Sequence, residues 1–166
     1  MTDSKISLDA LFLLQAALDE EIAKNHNVDY ESTFSRRVLA LLVELGEFAN
    51  ETRCFKYWSY KGPSPKETIL DEYADGMHFF LSLGVMMGVT QYTHHFHVRE
   101  KDLTQAILNV YEEVVELYKD FDPSRYVKAF GDYLNIIPLF DYSSEEVLEA
   151  YVKKCGKNHI RQETHY

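Results

Sequence analysis

The sequence predicts an all-α fold, a helical bundle with a four-helix core, from three observations. Apolar residues recur at the three- and four-residue spacing of helices over most of the 166-residue chain. The 4 prolines and 7 glycines are few and cluster between these periodic segments. Apolar residues make up 46% of the chain and aromatic residues 14%, enough for a substantial core. We expect one domain, 1–166, in which 156–166 forms a polar C-terminal tail.

The first half of the chain is expected to contain three helices. The first runs from about Ser7 to Lys24, with Ser4 or Ser7 as its N-cap. The second runs from about Tyr30 to Thr52, after the break at 26–29. The third is capped by Ser64, has Pro65 at its first position, and runs to about Met87 before Gly88.

The second half is expected to contain three more helices after a polar gap, Thr90 to Glu100. The fourth spans Lys101–Lys119, and the fifth runs from Pro123 to about Ile137, where Pro138 stops it. The sixth follows an Asp141 or Ser143 cap and runs from Ser144 to about Lys154.

Charge and composition exclude several functional classes. The net charge of −10 argues against general binding to nucleic acid or to an anionic membrane. Cys54 and Cys155 stand alone, so neither a zinc site nor a disulfide framework is indicated. No signal pattern or membrane-length apolar run is present. These features predict a cytoplasmic protein.

The second helix carries two acids, Glu44 and Glu47, inside the apolar run 38–49. Residues three apart on a helix share a face, with Cβ atoms about 5–6 Å apart. Two anions at that distance repel by about 3 kcal/mol at an effective dielectric near 20. Solvation at the surface is the ordinary explanation for an arbitrary pair of this spacing. The apolar surroundings here favour carboxylates that are neutralised, paired or bound to a metal.

The third helix repeats this pattern with Glu72 and Asp75 among apolar residues. A short loop joins the two helices, so they should pack antiparallel and bring the two acid pairs together. All-oxygen ligand sets of this kind suit Mg²⁺, with Mn²⁺ as a second choice. The sequence therefore predicts a metal site formed by the two pairs.

Other metal-binding and acidic patterns are weaker. A carboxylate-bridged iron centre in such a bundle needs acid-x-x-His on two helices, and only Asp75 and His78 have that spacing in an apolar helix. Two further acid groups alternate with apolar residues and are interpreted as solvated helix faces: Glu112, Glu113 and Glu116, and Glu145, Glu146 and Glu149. The histidines of an expected loop, His94, His95 and His97, are interpreted as surface residues.

Motifs spread over nearly the whole chain resemble one family. They are Leu14-Gln15-x-x-Leu18-Asp19, Glu44-Leu45-Gly46-Glu47 with Asn50-Glu51, Phe55-Lys56-Tyr57-Trp58-Ser59, Glu72-Tyr73-Ala74-Asp75-x-x-His78-Phe79, and Tyr151, Lys154, Asn158, His159, Arg161, Gln162 and Tyr166. The chain resembles the dimeric, all-α dUTPases, which belong with the MazG-like nucleotide pyrophosphohydrolases. The acid spacing is common to that wider group, whereas the Lys-Tyr-Trp loop and the C-terminal residues are similar to dUTPases.

This resemblance implies that a homodimer hydrolyses dUTP, and also dUDP, to dUMP, with pyrophosphate released from dUTP. Mg²⁺ would be held by Glu44, Glu47, Glu72 and Asp75, with one acid orienting or deprotonating the attacking water. The implied substrate contacts are Gln15, Trp58 and His78 at the uracil, Phe79 at the deoxyribose, and Lys56, Lys154, Asn158 and Arg161 at the phosphates. Asp19, where the family has Asn or Asp, is included with the substrate-binding residues. The C-terminal tail would order over the nucleotide.

The resemblance has departures and leaves two other functions open. Lys154-Cys155 stands where the family usually has Lys-Asn, and His165-Tyr166 where it often has Gly-Tyr. A broader MazG-like nucleoside triphosphate pyrophosphohydrolase shares the acid pairs. A dUTPase-like interaction protein would keep the fold without depending on catalysis.

Overall fold

The computed structural model describes residues 4–166, which form an all-α bundle with one short two-stranded ribbon. The helices are α1 (Asp9–His26), α2 (Tyr30–Thr52), α3 (Lys66–Met87), α4 (Leu103–Lys119), α5 (Pro123–Leu134) and α6 (Ser144–Glu163), with a short 3-10 helix at Ile137–Leu139. The strands β1 (Lys5–Ser7) and β2 (Thr93–His95) pair antiparallel, with Ile6 opposite His94. Over the described residues, no helix combines the length and apolarity needed to cross a bilayer.

Helix α3 lies at the centre of the bundle. It packs against α1, α2 and α6, and α1 also packs against α6. These four helices form the core predicted from the sequence. Helix α4 pairs with α5 and packs against α2. Tyr73 on α3 and Tyr133 on α5 stack with ring centroids 4.3 Å apart, and the hydroxyl of each donates to the backbone carbonyl of the other.

The boundaries of α2 and the C-terminal end of α3 are confirmed. Asp29 caps α2 through a reciprocal capping box: its side chain accepts from the Ser32 N–H at 2.7 Å, and the Ser32 hydroxyl accepts from the Asp29 N–H at 3.2 Å. Gly88 ends α3 with φ of 89°, a left-handed conformation that glycine adopts without a steric penalty.

The expected start of α1 is wrong. The helix begins at Asp9, and Leu8 occupies the N-cap position without a side-chain cap. Ser7 belongs to β1, and the Leu8 N–H donates to the Tyr92 carbonyl at 2.8 Å. The pairing of the two strands therefore holds this segment extended, and neither Ser4 nor Ser7 can act as the cap.

Two other expected boundaries also differ from the structure. Pro65 is the N-cap of α3, because the Ser64 hydroxyl donates to the Glu51 carboxylate instead of capping the helix. Helix α5 ends at Leu134, and Pro138 lies within the 3-10 helix that follows. The fifth helix is therefore shorter than predicted.

Helix α6 extends nine residues beyond the predicted end at Lys154, as far as Glu163. Its last turns are held against α1 by side chains. His159 Nδ1 lies 2.5 Å from the Glu21 carboxylate, and the Asn25 amide donates to Gln162 at 3.2 Å. Most of the segment expected as a polar tail is thus a helix anchored on the bundle.

The interpretation of the three loop histidines as surface residues is wrong for His94. His94 is half-buried, with Nε2 2.7 Å from the side-chain oxygen Oδ1 of Asn135 and Nδ1 3.0 Å from the Tyr92 hydroxyl, whereas His95 and His97 are exposed. The polar gap therefore contributes a strand and a packed histidine to the fold.

Glu113 is not part of a solvated face, although Glu112 and Glu116 are exposed as expected. One Glu113 carboxyl oxygen is buried without a hydrogen-bond partner. Burial, followed by a hydrogen bond to Asp132 and the charge of Asp132, raises the pKa of Glu113 to about 8. The approach of α5 brings Asp132 to this acid.

Candidate functional site

The four acids predicted from the sequence lie together where α2 packs against α3. Glu44, Glu72 and Asp75 each present a carboxylate oxygen within 4.8 Å of the others. Glu47 is more exposed, and its carboxyl group lies within hydrogen-bonding reach of Glu44 and Glu72. The helical spacing of three residues within each pair produces this convergence.

The acid cluster favours protonation when no cation is bound. Burial, followed by the charges of Asp75 and Glu47, raises the pKa of Glu44 to about 8. Burial and then the charge of Asp75 raise the pKa of Glu72 to about 7. Burial also raises the pKa of Asp75, although the ammonium of Lys154 opposes this shift.

Lys154 supplies a positive charge at the edge of the cluster. Its ammonium lies 2.9 Å from Asp71 and 3.4 Å from Asp75, and its side chain is only 5% exposed. The two carboxylates raise the pKa of Lys154 although burial opposes them. Lys154 was predicted as the last residue of the sixth helix. Because α6 runs on to Glu163, the backbone of Lys154 is held inside a regular helix.

The acid cluster is suited to a divalent cation. One carboxylate oxygen of Glu44 and one of Glu72 are buried without any hydrogen-bond partner in the described part of the chain. Buried polar atoms normally find partners, so two orphaned oxygens beside a third carboxylate mark a place for a cation. Hard oxygen ligands of this kind fit Mg²⁺ or Mn²⁺.

A buried hydrogen-bond network surrounds Gln15 of α1. It reaches α3 at His78, one turn after Asp75. The Gln15 amide nitrogen donates to Asp19 at 2.9 Å and lies 3.2 Å from His78 Nε2. Its amide oxygen accepts from the Tyr151 hydroxyl at 2.6 Å. The Gln15 side chain is fully buried, and these partners occupy both ends of its amide.

Asp19 joins this network to α2 and α3. Its carboxylate accepts hydrogen bonds from the Tyr30 hydroxyl at 3.0 Å and the Ser82 hydroxyl at 2.9 Å. The Arg37 guanidinium lies 3.6 Å away and donates to Ser82. The acid is 97% buried with its charge balanced, so it is a fixed acceptor for the Gln15 amide.

His78 has one free nitrogen in this network. Burial lowers the pKa of His78 from its ordinary value of 6.5 to about 4, so the imidazole is neutral near pH 7. Its Nδ1 atom is buried and has no hydrogen-bond partner. The Phe79 ring packs edge-on against the imidazole with centroids 5.0 Å apart.

A cavity of about 240 Å³ connects the acids, the histidine and the end of α6. Its lining comprises Ile22, Glu44, Asp75, His78, Phe79, Asn158, Arg161, Gln162 and Tyr166. Among residues 4–166, no carboxylate forms an ion pair with Arg161. Its guanidinium lies over the Tyr166 ring at 4.8 Å and donates to Asn158 at 3.3 Å. The cavity thus combines carboxylates, a neutral imidazole and a cationic rim.

The loop between α2 and α3 does not reach this cavity. Trp58 is 62% exposed and packs edge-on against the rings of Phe55 and Tyr57 in its own loop. Lys56 lies 5.9 Å from the Phe55 ring. Among the described residues, neither Trp58 nor Lys56 lines the cavity. These two predicted substrate contacts therefore stand apart from the other residues of the site.

Two functional-site residues had no assigned role in the sequence analysis. Asp71 lies directly before the second acid pair and is exposed. Nothing in the sequence around it predicts its ion pair with Lys154. Tyr151 was noted in the C-terminal motif, but its bond to Gln15 spans 136 positions of the chain. The packing of α6 against α3 makes the first contact, and its packing against α1 makes the second.

Residues 7–166 match a family model described as dUTPase. A search of curated proteins finds no match.

Proposed function

The chain belongs to the dUTPase family, and on that premise we propose that it is a Mg²⁺-dependent dUTP diphosphatase that converts dUTP and water to dUMP and pyrophosphate. We propose that dUDP is also accepted and yields dUMP and phosphate. Mn²⁺ is the second candidate metal. The family membership makes the chain a dUTP nucleotidohydrolase; the metal, the products and dUDP turnover are the parts proposed here.

One observation carries the proposal. Two carboxylate oxygens, on Glu44 and Glu72, are buried without partners, and Glu44 and Asp75 line the same cavity as the unpaired imidazole of His78. A carboxylate site for a cation thus lies beside a neutral hydrogen-bonding pocket. A nucleoside triphosphate needs both, because its phosphates are anionic and its base is a neutral ring.

The metal ligands are proposed to be Glu44, Glu47, Glu72 and Asp75. A divalent cation bound there would neutralise phosphate charge and favour ionisation of the attacking water. Glu47 is the most exposed of the four, which supports a position at the edge of the cluster. One carboxylate of the four takes the proton of the water as its oxygen attacks phosphorus and the phosphoanhydride bond breaks.

The nucleotide is proposed to lie across the cavity. His78 and the Gln15–Asp19 pair behind it would hold the uracil, with Phe79 against the deoxyribose. Asn158 and Arg161 on α6 line the cavity together with Glu44 and Asp75, which supports the proposal that they bind the phosphates. The guanidinium of Arg161 has no carboxylate partner among the described residues and can turn from Tyr166 to an anion.

Lys154, Lys56 and Trp58 need movement to bind substrate. Lys154 would exchange its contacts with Asp71 and Asp75 for a phosphate once a cation neutralises the acids. Lys56 and Trp58 lie in the exposed α2–α3 loop, so we propose that they reach the nucleotide when this loop closes or when a second subunit is present.

We propose that the protein is a cytoplasmic homodimer. An exposed apolar pair on α2, Leu39 at 62% and Val43 at 50%, lies one turn apart on the helix that carries Glu47. Such a pair on a helix face is suited to contact with a second copy. Light scattering of the protein and of Leu39→Glu tests this: a dimer that becomes a monomer supports the interface, and a monomeric parent protein contradicts it.

The activity is tested by measuring pyrophosphate release from dUTP, dCTP, dTTP and dATP with and without Mg²⁺. We expect Mg²⁺-dependent release from dUTP in strong preference to the others. Equal rates on all four nucleotides would favour a broader MazG-like pyrophosphohydrolase. A folded protein that binds Mg²⁺ but turns over no nucleotide would favour an interaction protein.

A further inference from the structure

The hydrogen bonds of Gln15 decide which nitrogen of His78 carries the proton. The Asp19 carboxylate accepts a hydrogen bond from one end of the Gln15 amide. The Tyr151 hydroxyl donates to the other end. The amide NH₂ group is therefore turned toward Asp19 and the amide oxygen toward Tyr151. The two partners hold one orientation of the amide, because the reverse orientation would set oxygen against oxygen at Asp19.

The same NH₂ group lies 3.2 Å from His78 Nε2. An amide nitrogen donates and does not accept, so His78 Nε2 must be the accepting nitrogen. A neutral imidazole has one donor and one acceptor nitrogen, which places the proton of His78 on Nδ1. That nitrogen is buried and has no partner.

We propose that Tyr151 is a positioning residue for base recognition, because it holds the Gln15 amide so that His78 keeps its proton on Nδ1 and offers this donor to a carbonyl oxygen of the bound base. The proposal rests on the proposed function for the identity of the base. It assigns Gln15 an indirect role, since both ends of its amide are already occupied by protein groups.

The surroundings of Tyr151 support a fixed hydroxyl. Its side chain is fully buried on α6, and the thiol of Cys155, one turn away, lies within hydrogen-bonding reach of it. Cys155 is one of the positions where the chain departs from the family pattern. Loss of the Tyr151 hydroxyl would leave the Gln15 oxygen buried and unpaired, a cost that displacement of the amide away from His78 can relieve, and Nε2 would then no longer be held as the accepting nitrogen.

The first test is Tyr151→Phe, with Tyr126→Phe as the matched control. Tyr126 is also a fully buried tyrosine, and its hydroxyl donates to the Phe80 carbonyl at 2.7 Å, away from the network. Long-range ¹H–¹⁵N spectra report the tautomer of His78, which a His78→Gln variant assigns. We expect the Nδ1–H tautomer in the parent protein and the control, and a second tautomer in Tyr151→Phe.

The second measurement separates base from phosphate recognition. Calorimetry with Mg²⁺ should show about tenfold weaker binding of dUMP to Tyr151→Phe, the expected scale for a buried hydrogen bond lost or misdirected. Inorganic pyrophosphate should bind equally to the parent and the variant, and dUMP should bind the Tyr126→Phe control as it binds the parent. In turnover, the KM for dUTP should rise more than kcat falls.

A second variant keeps the proposal testable if Tyr151→Phe does not fold. Gln15→Glu replaces the amide NH₂ with an oxygen beside His78 Nε2, so we expect the proton to move to Nε2 and dUMP binding to weaken. An unchanged His78 tautomer in both variants, or equal loss of dUMP and pyrophosphate binding, would overturn the proposal. Absence of dUTP turnover by the parent protein would instead count against the proposed function, since the tautomer spectra need no catalysis.

Discussion

Replacement of Glu44 with Gln should stabilise the metal-free protein near neutral pH. The side chain keeps its size but loses a carboxylate from a cluster in which three ligand oxygens lie within 4.8 Å of one another. Two full charges at that distance repel by about 3.5 kcal/mol at an effective dielectric near 20. Partial protonation already relieves much of this repulsion, because burial and neighbouring acids raise the pKa of Glu44 to about 8.

The expected magnitude follows from that raised pKa. The folded state holds the Glu44 proton up to about pH 8, whereas the unfolded chain releases it near the ordinary value of 4.5. Between these values the folded state binds more protons, so the wild-type free energy of unfolding falls as pH rises. If Glu44 stayed fully protonated in the folded state at pH 7.5, the free energy of unfolding would be lower by about 4 kcal/mol. Glu44 is only partly buried, and water screens its charge, so we discount this to about 1–2 kcal/mol.

The assay is thermal unfolding of the metal-free protein at pH 5 and pH 7.5. A gain of 1–2 kcal/mol corresponds to a rise in Tm of about 3–6 °C for a chain of this size. We expect that rise at pH 7.5 and little difference at pH 5, where Glu44 is protonated in the folded state. Glu149→Gln, an exposed acid on α6, is the control and should change Tm little at either pH.

Mg²⁺ should make the wild type more stable than Glu44→Gln at pH 7.5, the reverse of the order expected without metal. The cation would stabilise the wild type at pH 7.5, by about 2.7 kcal/mol at a hundred times its Kd, and should stabilise Glu44→Gln much less. A lower metal-free Tm for Glu44→Gln at pH 7.5, or the same difference at both pH values, would refute the converging-acid argument.

Three other substitutions test neighbouring features. Lys154→Met should lower the free energy of unfolding by about 1–3 kcal/mol in urea, because Asp71 and Asp75 lose their ammonium partner, and calorimetry should show tighter Mg²⁺ binding. Glu113→Gln should stabilise the protein more at pH 8 than at pH 5 in urea unfolding, because burial raises the pKa of Glu113 to about 8. Gly76→Ala should lower the free energy of unfolding by about 1–3 kcal/mol, because its Cβ would meet the Tyr133 hydroxyl; Gly62→Ala, with open space around it, should not.

The sequence predicted the elements whose signals are local. The predicted bounds of α2 and the predicted glycine end of α3 depend on residues within one turn of each boundary. The acid pairs were recognisable because carboxylates three apart among apolar residues are electrostatically unfavourable. Their convergence then followed from the expected packing of two neighbouring helices.

The features that were missed depend on contacts between distant parts of the chain. The start of α1 is set by a strand nearly ninety positions away, with Ser7 opposite Thr93. Glu113 has the same alternating pattern as an ordinary solvated acid, and only the approach of Asp132 on α5 distinguishes it. The end of α6 was underestimated because a polar sequence without a core-facing pattern can be helical when a neighbouring helix holds it.

One face of α3 explains why metal and base recognition would be coupled. Asp75, His78 and Ser82 are three and four residues apart, so they lie on one face of the helix at successive turns. Asp75 belongs to the acid cluster, His78 lines the cavity, and Ser82 donates to Asp19 in the network around Gln15. The rise of about 1.5 Å per residue fixes the distance between the carboxylate and the imidazole. A nucleotide that satisfies both groups must therefore match a fixed spacing, and a base that seats poorly at His78 would displace its phosphates from the acids. If His78 binds the base as proposed, base selection would act on turnover as well as on affinity, without any movement within α3.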